Sequence, residues 1–231
     1  MKNKICVFDF ETDGSDPTSC SPVQIAAIMI DPYDLSIIDD SEFNIQVKPS
    51  KLEDNPDFDY AESDILDFHA KVKKCQASDI LDLWKNSISQ SQAWSMFKSY
   101  LELYHINRTK KNMFSAPVTA GYNIFKFDLK IVDRYTKKFG YVTKDGECDL
   151  FYPRDTLDIM NLAYYWLENN KDIKSISLDN LRSYLGISKD GAHDALKDVK
   201  DCAEILIRFL KLHRRLAPQI KFEGSFKNTE S

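Results

Sequence analysis

Between residues 4 and 11 apolar side chains fall on both faces of an alternating pattern. Ile5 and Val7 share one face, Cys6, Phe8 and Phe10 the other, and Asp9 and Glu11 continue the first stripe. Apolar residues on both faces predict a central strand covered on both sides. Val23 to Ile30 predicts a second strand and Phe43 to Val47 a third, the three forming an antiparallel meander, with turn chemistry at Asp13-Gly14-Ser15-Asp16-Pro17. Residues 49–58, rich in Pro, Asp and Asn, read as loop. Helical periodicity is weak over 61–73 and 78–85 and clearer over 91–104. A short strand from Pro117 to Tyr122 precedes helices predicted over 124–139, 155–168, 177–185 and 192–216. Strands first, then strands alternating with helices, predict an α/β domain with a mixed sheet, an antiparallel meander followed by parallel strands, flanked by helices. The domain is expected over residues 1–217, with 218–231 as a polar, flexible tail.

Several acids break this pattern. Asp9 and Glu11, two apart on a strand, project from one face at its C-terminal end, where ligands gather in open α/β sheets. An Asp-x-Glu pair is common, and a solvated strand end explains it equally well. Asp128 lies within the apolar stripe Ile124, Phe127, Ile131, Val132, Tyr135 and Phe139, where a surface charge is out of place. A structural ion pair is the competing reading. Asn123 is a good helix N-cap, which accounts for it without any ligand. In the last predicted helix Asp198 sits at the margin of the face formed by Ala195, Leu196, Val199, Cys202 and Leu206, with His193 at its start. Asp194 and Asp201 fall on other sides and are assigned to the helix dipole and solvent.

Four converging carboxylates repel one another unless cations lie between them. Carboxylate oxygens suit Mg²⁺ or Mn²⁺, and two such ions about 4 Å apart serve in-line displacement at phosphorus. A nearby histidine can act as the general base. The pattern therefore points to phosphodiester hydrolysis.

Composition narrows the setting. With 43% hydrophobic and 29% charged residues the 231-residue chain has an ordinary globular make-up. A net charge of −5 argues against binding nucleic acid by bulk electrostatics, though not against gripping phosphates through metal ions. The basic clusters Arg108, Lys110, Lys111 and Arg208, Lys211, Arg214, Arg215, Lys221 read as solvated helix surfaces. Five widely spaced cysteines without a Cys-x-x-Cys pair predict reduced thiols in the cytoplasm, not disulfides or a zinc site. No apolar run approaches the roughly 18 residues of a membrane helix, and the first residues do not read as a signal peptide.

Taken in order, Asp9-x-Glu11, then Asn123-x(4)-Asp128 after a strand, then His193-x(4)-Asp198 resembles the three motifs of the DEDDh 3′–5′ exonucleases, a family of the ribonuclease H-like fold that includes proofreading subunits and ribonuclease T. The likeness extends to Glu11-Thr12-Asp13-Gly14, to Val23-Gln24-Ile25-Ala26-Ala27-Ile28, and to Leu178-Asp179-Asn180-Leu181 with Leu185-Gly186-Ile187, covering roughly residues 4–212. The resemblance implies that Asp9, Glu11, Asp128 and Asp198 hold two Mg²⁺ or Mn²⁺ ions, with His193 as general base. It also implies that Thr12 contacts the 3′-terminal nucleotide and that Asn123 helps hold the strand. Asp13 departs from the small polar residue usual there and is expected to place an extra negative charge near the 3′ end. Residues 49–90 are less like the family.

The resemblance implies a 3′–5′ exonuclease releasing nucleoside 5′-monophosphates from single-stranded DNA, as a stand-alone phage or bacterial member, with a polymerase or replication protein as a further partner. An exoribonuclease acting on short RNA or RNA tails is the alternative, because 2′-OH recognition depends on pocket detail. A ribonuclease H-like endonuclease or transposase is disfavoured by the terminal His-x(4)-Asp. A catalytically inactive nucleic-acid-binding or scaffold protein is disfavoured because all five positions are intact.

Overall fold

The computed structural model describes residues 2–60 and 64–219. Its centre is β1 (Ile5–Thr12), which pairs antiparallel with β2 (Pro22–Ile30) on one side and parallel with β4 (Val118–Gly121) on the other. Outside these lie β3 (Phe43–Gln46), antiparallel to β2, and β5 (Thr156–Asp158), parallel to β4. The sheet order is thus β3-β2-β1-β4-β5, the mixed sheet predicted from the element order.

The alternation in β1 decides what covers each face. Cys6, Phe8 and Phe10 pack with Ile25, Ala27 and Met29 against α4 (Gln90–Leu103) and α5 (Asp128–Phe139). Ile5 and Val7 pack with Ala26, Ile28 and Ile30 on the opposite face, against α6 (Ile159–Leu167), α7 (Leu178–Leu185) and α8 (Ala195–Leu216). Between β3 and α4 run α1 (Ser50–Asp54), α2 (Ile65–Lys73) and α3 (Ala77–Asn86). They enclose a separate small core of Val23, Leu52, Tyr60, Ala70, Ile80 and Trp84.

Four details differ from the sequence reading. The expected loop over 49–58 contains α1, a single turn seated by the buried Leu52. The helix expected over 155–168 is divided: Thr156–Asp158 pairs with β4 as a strand, and Asp158 then caps α6 by accepting from the Met160 and Asn161 N–H groups. The last helix begins at Ala195, three residues later than expected, because Gly191 and His193 both adopt positive φ. The helix expected from 124 begins at Asp128, because Asn123 has φ +55 and residues 124–127 form a turn. Asn123 is therefore not the cap of α5. That cap position is Phe127, without a side-chain hydrogen bond.

Of the expected tail, Ala217–Gln219 closes in a 3₁₀ turn, and residues 220–231 lie outside the described residues. All five cysteines are free thiols. No helix among the described residues is long and apolar enough to cross a membrane.

Candidate active site

β1 carries Asp9 and Glu11 on the face covered by α8, opposite Ala26 and Gln24 of β2. The ladder slips between Glu11 and Thr12, and the strand ends at Thr12, one residue after the second acid. Helix α8 delivers the third. Asp194 caps it, accepting from the Leu196 and Lys197 N–H groups, and Asp198 follows one turn later. One ligand oxygen each from Asp9, Glu11 and Asp198 lie within 4.8 Å of one another. No hydrogen-bond donor among the described residues reaches the Asp9 or Glu11 carboxylate.

Asp128 reaches the same place from the other side. The parallel pairing of β1 with β4 stops at Val7 opposite Ala120. Three residues further on, the Phe10 N–H donates to Asp128 Oδ1 at 3.2 Å, so the carboxylate is pinned between Asp9 and Glu11 along the strand. Two features of the β4–α5 turn hold it there. A Cβ on Gly121 would lie 2.8 Å from Ile124 Cδ1 and 3.0 Å from the Phe8 carbonyl, so only glycine lets the turn close this tightly. The left-handed Asn123 is fixed through its N–H, which donates to the buried Asp158 at 3.2 Å. Asp128 lies beside the three clustered acids and is not one of that close group.

The electrostatics follow from this crowding. Burial, and then the neighbouring Asp198, push Asp9 up to about 7. Burial, then Asp9 and Asp198, push Glu11 up to about 9. Burial and Asp9 hold Asp128 well above the usual carboxylate range, against its hydrogen bond from Phe10. Burial also raises Asp198, opposed by the Arg182 guanidinium and by the His193 N–H. Four acids that ionise only reluctantly, with hard oxygen donors and two carboxylates free of hydrogen-bond donors, fit a divalent cation of the Mg²⁺ or Mn²⁺ kind.

His193 precedes α8 with φ +66, a conformation that is uncommon outside glycine. Its N–H donates to Asp198 Oδ1 at 3.1 Å, and its exposed ring lies edge-on to Phe68 with centroids 6.0 Å apart. Thr12 is buried; its hydroxyl donates to the Gly14 carbonyl, and its own carbonyl faces His69 Nε2 at 3.0 Å.

Asp13 overturns its expected role. It is buried, accepting from the Ser21 N–H and from the Tyr60 hydroxyl at 3.0 Å, with Lys51 at 3.8 Å. Its charge is absorbed inside the protein and is not presented to a substrate. Asp201, assigned to solvent, is instead buried and paired with Arg182 and Lys197. Arg182 has a single sequence signal, a cation on the inner face of α7, next to Leu181. The basic clusters agree with the solvated reading where described: Arg108 and Lys110 are exposed, Lys111 pairs with Glu102, and Arg208 pairs with Glu204. Lys221 lies outside the described residues.

Residues 106–206 match the family model RNase_T, described as Exonuclease. That stretch is similar to the family and covers less than half of the chain. The matched stretch includes Asp128, His193 and Asp198, and the acids of β1 precede it. The fold of the domain is similar to that of E. coli exonuclease I in complex with a dT13 oligonucleotide, at 18% identity and TM-score 0.63, over 94% of this chain and 43% of that one. It is also similar to the zinc-bound form of the E. coli exonuclease I–ssDNA complex, at 17% and 0.64, over 95% and 43%. Cell-death related nuclease 4 shares the fold at 16% and 0.64, over 91% and 64%. The chain thus spans less than half the length of the exonuclease I chains. No curated protein matches it.

Proposed function

We propose that the domain is a metal-dependent 3′–5′ exonuclease that hydrolyses single-stranded DNA and releases nucleoside 5′-monophosphates. The observation that carries this reading is the meeting of Asp9, Glu11 and Asp198 within 4.8 Å at the end of β1, with Asp128 pinned to the Phe10 N–H beside them. Two divalent ions, Mg²⁺ or Mn²⁺, held by these four carboxylates would supply the positive charge that activates water and stabilises the leaving oxygen in phosphodiester hydrolysis.

The remaining roles fall to the protein's own groups. His193, its backbone tied to Asp198 and its ring exposed, takes the proton from the attacking water as general base. Thr12 and the main chain around it receive the 3′-terminal nucleotide, since the strand ends at Thr12, directly beside Glu11. With capping of α5 removed as an explanation for Asn123, its left-handed turn next to Asp128 favours a part in holding the substrate strand. The preference for DNA rests on the similarity to exonuclease I seen with dT13, and RNA remains the competing substrate. A polymerase or replication protein is a further proposed partner.

The test uses 5′-labelled single-stranded DNA, duplex DNA and RNA oligomers with Mg²⁺ or Mn²⁺, alongside Asp9→Ala. A ladder shortening from the 3′ end of the single-stranded DNA is expected, lost in the variant and in EDTA. Cleavage inside a circular substrate, or activity indifferent to EDTA, defeats the reading; a faster ladder on RNA replaces the substrate.

A further inference from the structure

Arg182 is 1% exposed, the one cationic side chain among the largest fully buried ones of the described residues. Each nitrogen of its guanidinium meets a different carboxylate. Nη2 donates to Asp198 Oδ1 at 2.6 Å, Nε to Asp201 Oδ2 at 2.7 Å, and Nη1 to Asp179 Oδ1 at 2.9 Å. Asp198 and Asp201 are three apart on α8, so they are neighbours on its surface and one planar guanidinium spans both.

Docking α7 does not require this cation. Leu181 and Ile187 already seat that helix in the apolar core beneath the sheet. Taking a guanidinium and two carboxylates out of water costs several kcal/mol per ion, and an apolar replacement of similar volume is often neutral or better for stability. What an apolar residue could not do is fix Asp198. Oδ1 of that carboxylate accepts from both Arg182 and the His193 N–H, while Oδ2 receives no hydrogen bond among the described residues. One oxygen is engaged by the protein and the other is left to a cation.

We propose that Arg182 is a positioning residue of the metal centre, which locks Asp198 through its Oδ1 and so presents Oδ2 to the ion shared with Asp9 and Glu11. The inference rests on the metal-binding reading of that cluster. Hydrogen-bond partners of metal ligands carry about 10–100-fold in metal affinity, and a loss of that order is expected here.

The test measures Mn²⁺ binding directly, by titration calorimetry and by the electron-spin resonance of free Mn²⁺, without nucleic acid. Arg182→Lys keeps the charge but cannot reach Asp198 and Asp201 together. The double variant Arg182→Met with Asp201→Asn removes one cation and one buried acid, so the charge stays balanced and the fold is kept. Thermal unfolding in EDTA reports the fold separately. The proposal expects the Mn²⁺ dissociation constant to rise at least tenfold in both variants while the double variant melts within a few degrees of the wild type. A merely structural role predicts the reverse, a lowered melting temperature with an unchanged dissociation constant in the folded protein, and that result overturns the proposal. A wild-type protein that binds no Mn²⁺ overturns the reading of the cluster itself.

Discussion

Two stretches of the chain meet at the end of β1 and contribute different things. The stretch 106–206 supplies Asp128 and Asp198, each on a helix packed directly against the sheet, and His193 in the turn just before α8. The segment 49–90, with α1, α2 and α3 around their own small core, supplies no member of the acid cluster. It holds the rim instead. Tyr60 secures Asp13, His69 meets the Thr12 carbonyl, Phe68 stands beside the His193 ring, and Lys73 lies 3.9 Å from Asp194. The comparison separates chemistry from access. The acids are set by β1, α5 and α8, while the lobe, whose core takes in Val23 of β2, shapes what surrounds them.

Breaking the chemical side should give the largest effect. Asp128→Asn is expected to lower hydrolysis by about 10³-fold or more, as for other members of a catalytic group that acts as a unit. Its metal-free melting temperature should hold or rise, because burial and Asp9 both oppose the native charge. A variant that merely unfolds would contradict this. His193→Ala comes next, with turnover falling about 10²–10⁴-fold and Mn²⁺ affinity within a few-fold of the wild type. Unchanged turnover would remove the residue from the general-base role.

The acids also make the metal-free protein sensitive to pH. Asp9 is raised to about 7 and Glu11 to about 9, so between about pH 4 and these values the folded state binds more protons than the unfolded one. Their contribution is fully present below the ordinary carboxylate pKa and is lost as pH rises through 7 and 9. Stability in EDTA should therefore decline from pH 5 to pH 9, at up to about 1.4 kcal/mol per pH unit for each differing proton. Mn²⁺ should restore most at the alkaline end. A melting temperature in EDTA that stays flat across this window would show that the cluster is not strained.

The rim should respond more mildly. Tyr60→Phe leaves the buried Asp13 without one donor and should cost about 1–3 kcal/mol in denaturant unfolding. His69→Ala should raise KM for single-stranded DNA by up to about tenfold with kcat nearly unchanged, the mark of lost uniform binding. A kcat loss matching that of His193→Ala would erase the distinction between the two regions.

The same division explains what could be read from the sequence. β1, β2 and α8 declare themselves through long apolar periodicity, and the acids are visible because they interrupt it. β5 has only three residues and runs straight into α6, so its pattern is too short to separate from the helix. The start of α5 is hidden from the sequence because a left-handed Asn123 fits within helical spacing and its anchor, Asp158, lies 35 residues away. Asp13, Asp201 and Arg182 look like surface charges until distant partners are brought to them by the fold. Local pattern shows which side chains are out of place; it does not show which other residues answer them.

The placement of β1 at the centre of the sheet has a consequence for how the protein is made. Asp9 and Glu11 come before their partners in the chain: β1 takes its parallel partner only at Val118–Ala120, and the third clustered acid follows only at Asp198. Pairings of such long sequence separation form slowly and late. The centre therefore does not exist in a partly synthesised chain. A nascent fragment ending before Asp198 carries Asp9 and Glu11 as two ordinary acids, and the acid cluster forms only with the closing of the whole domain.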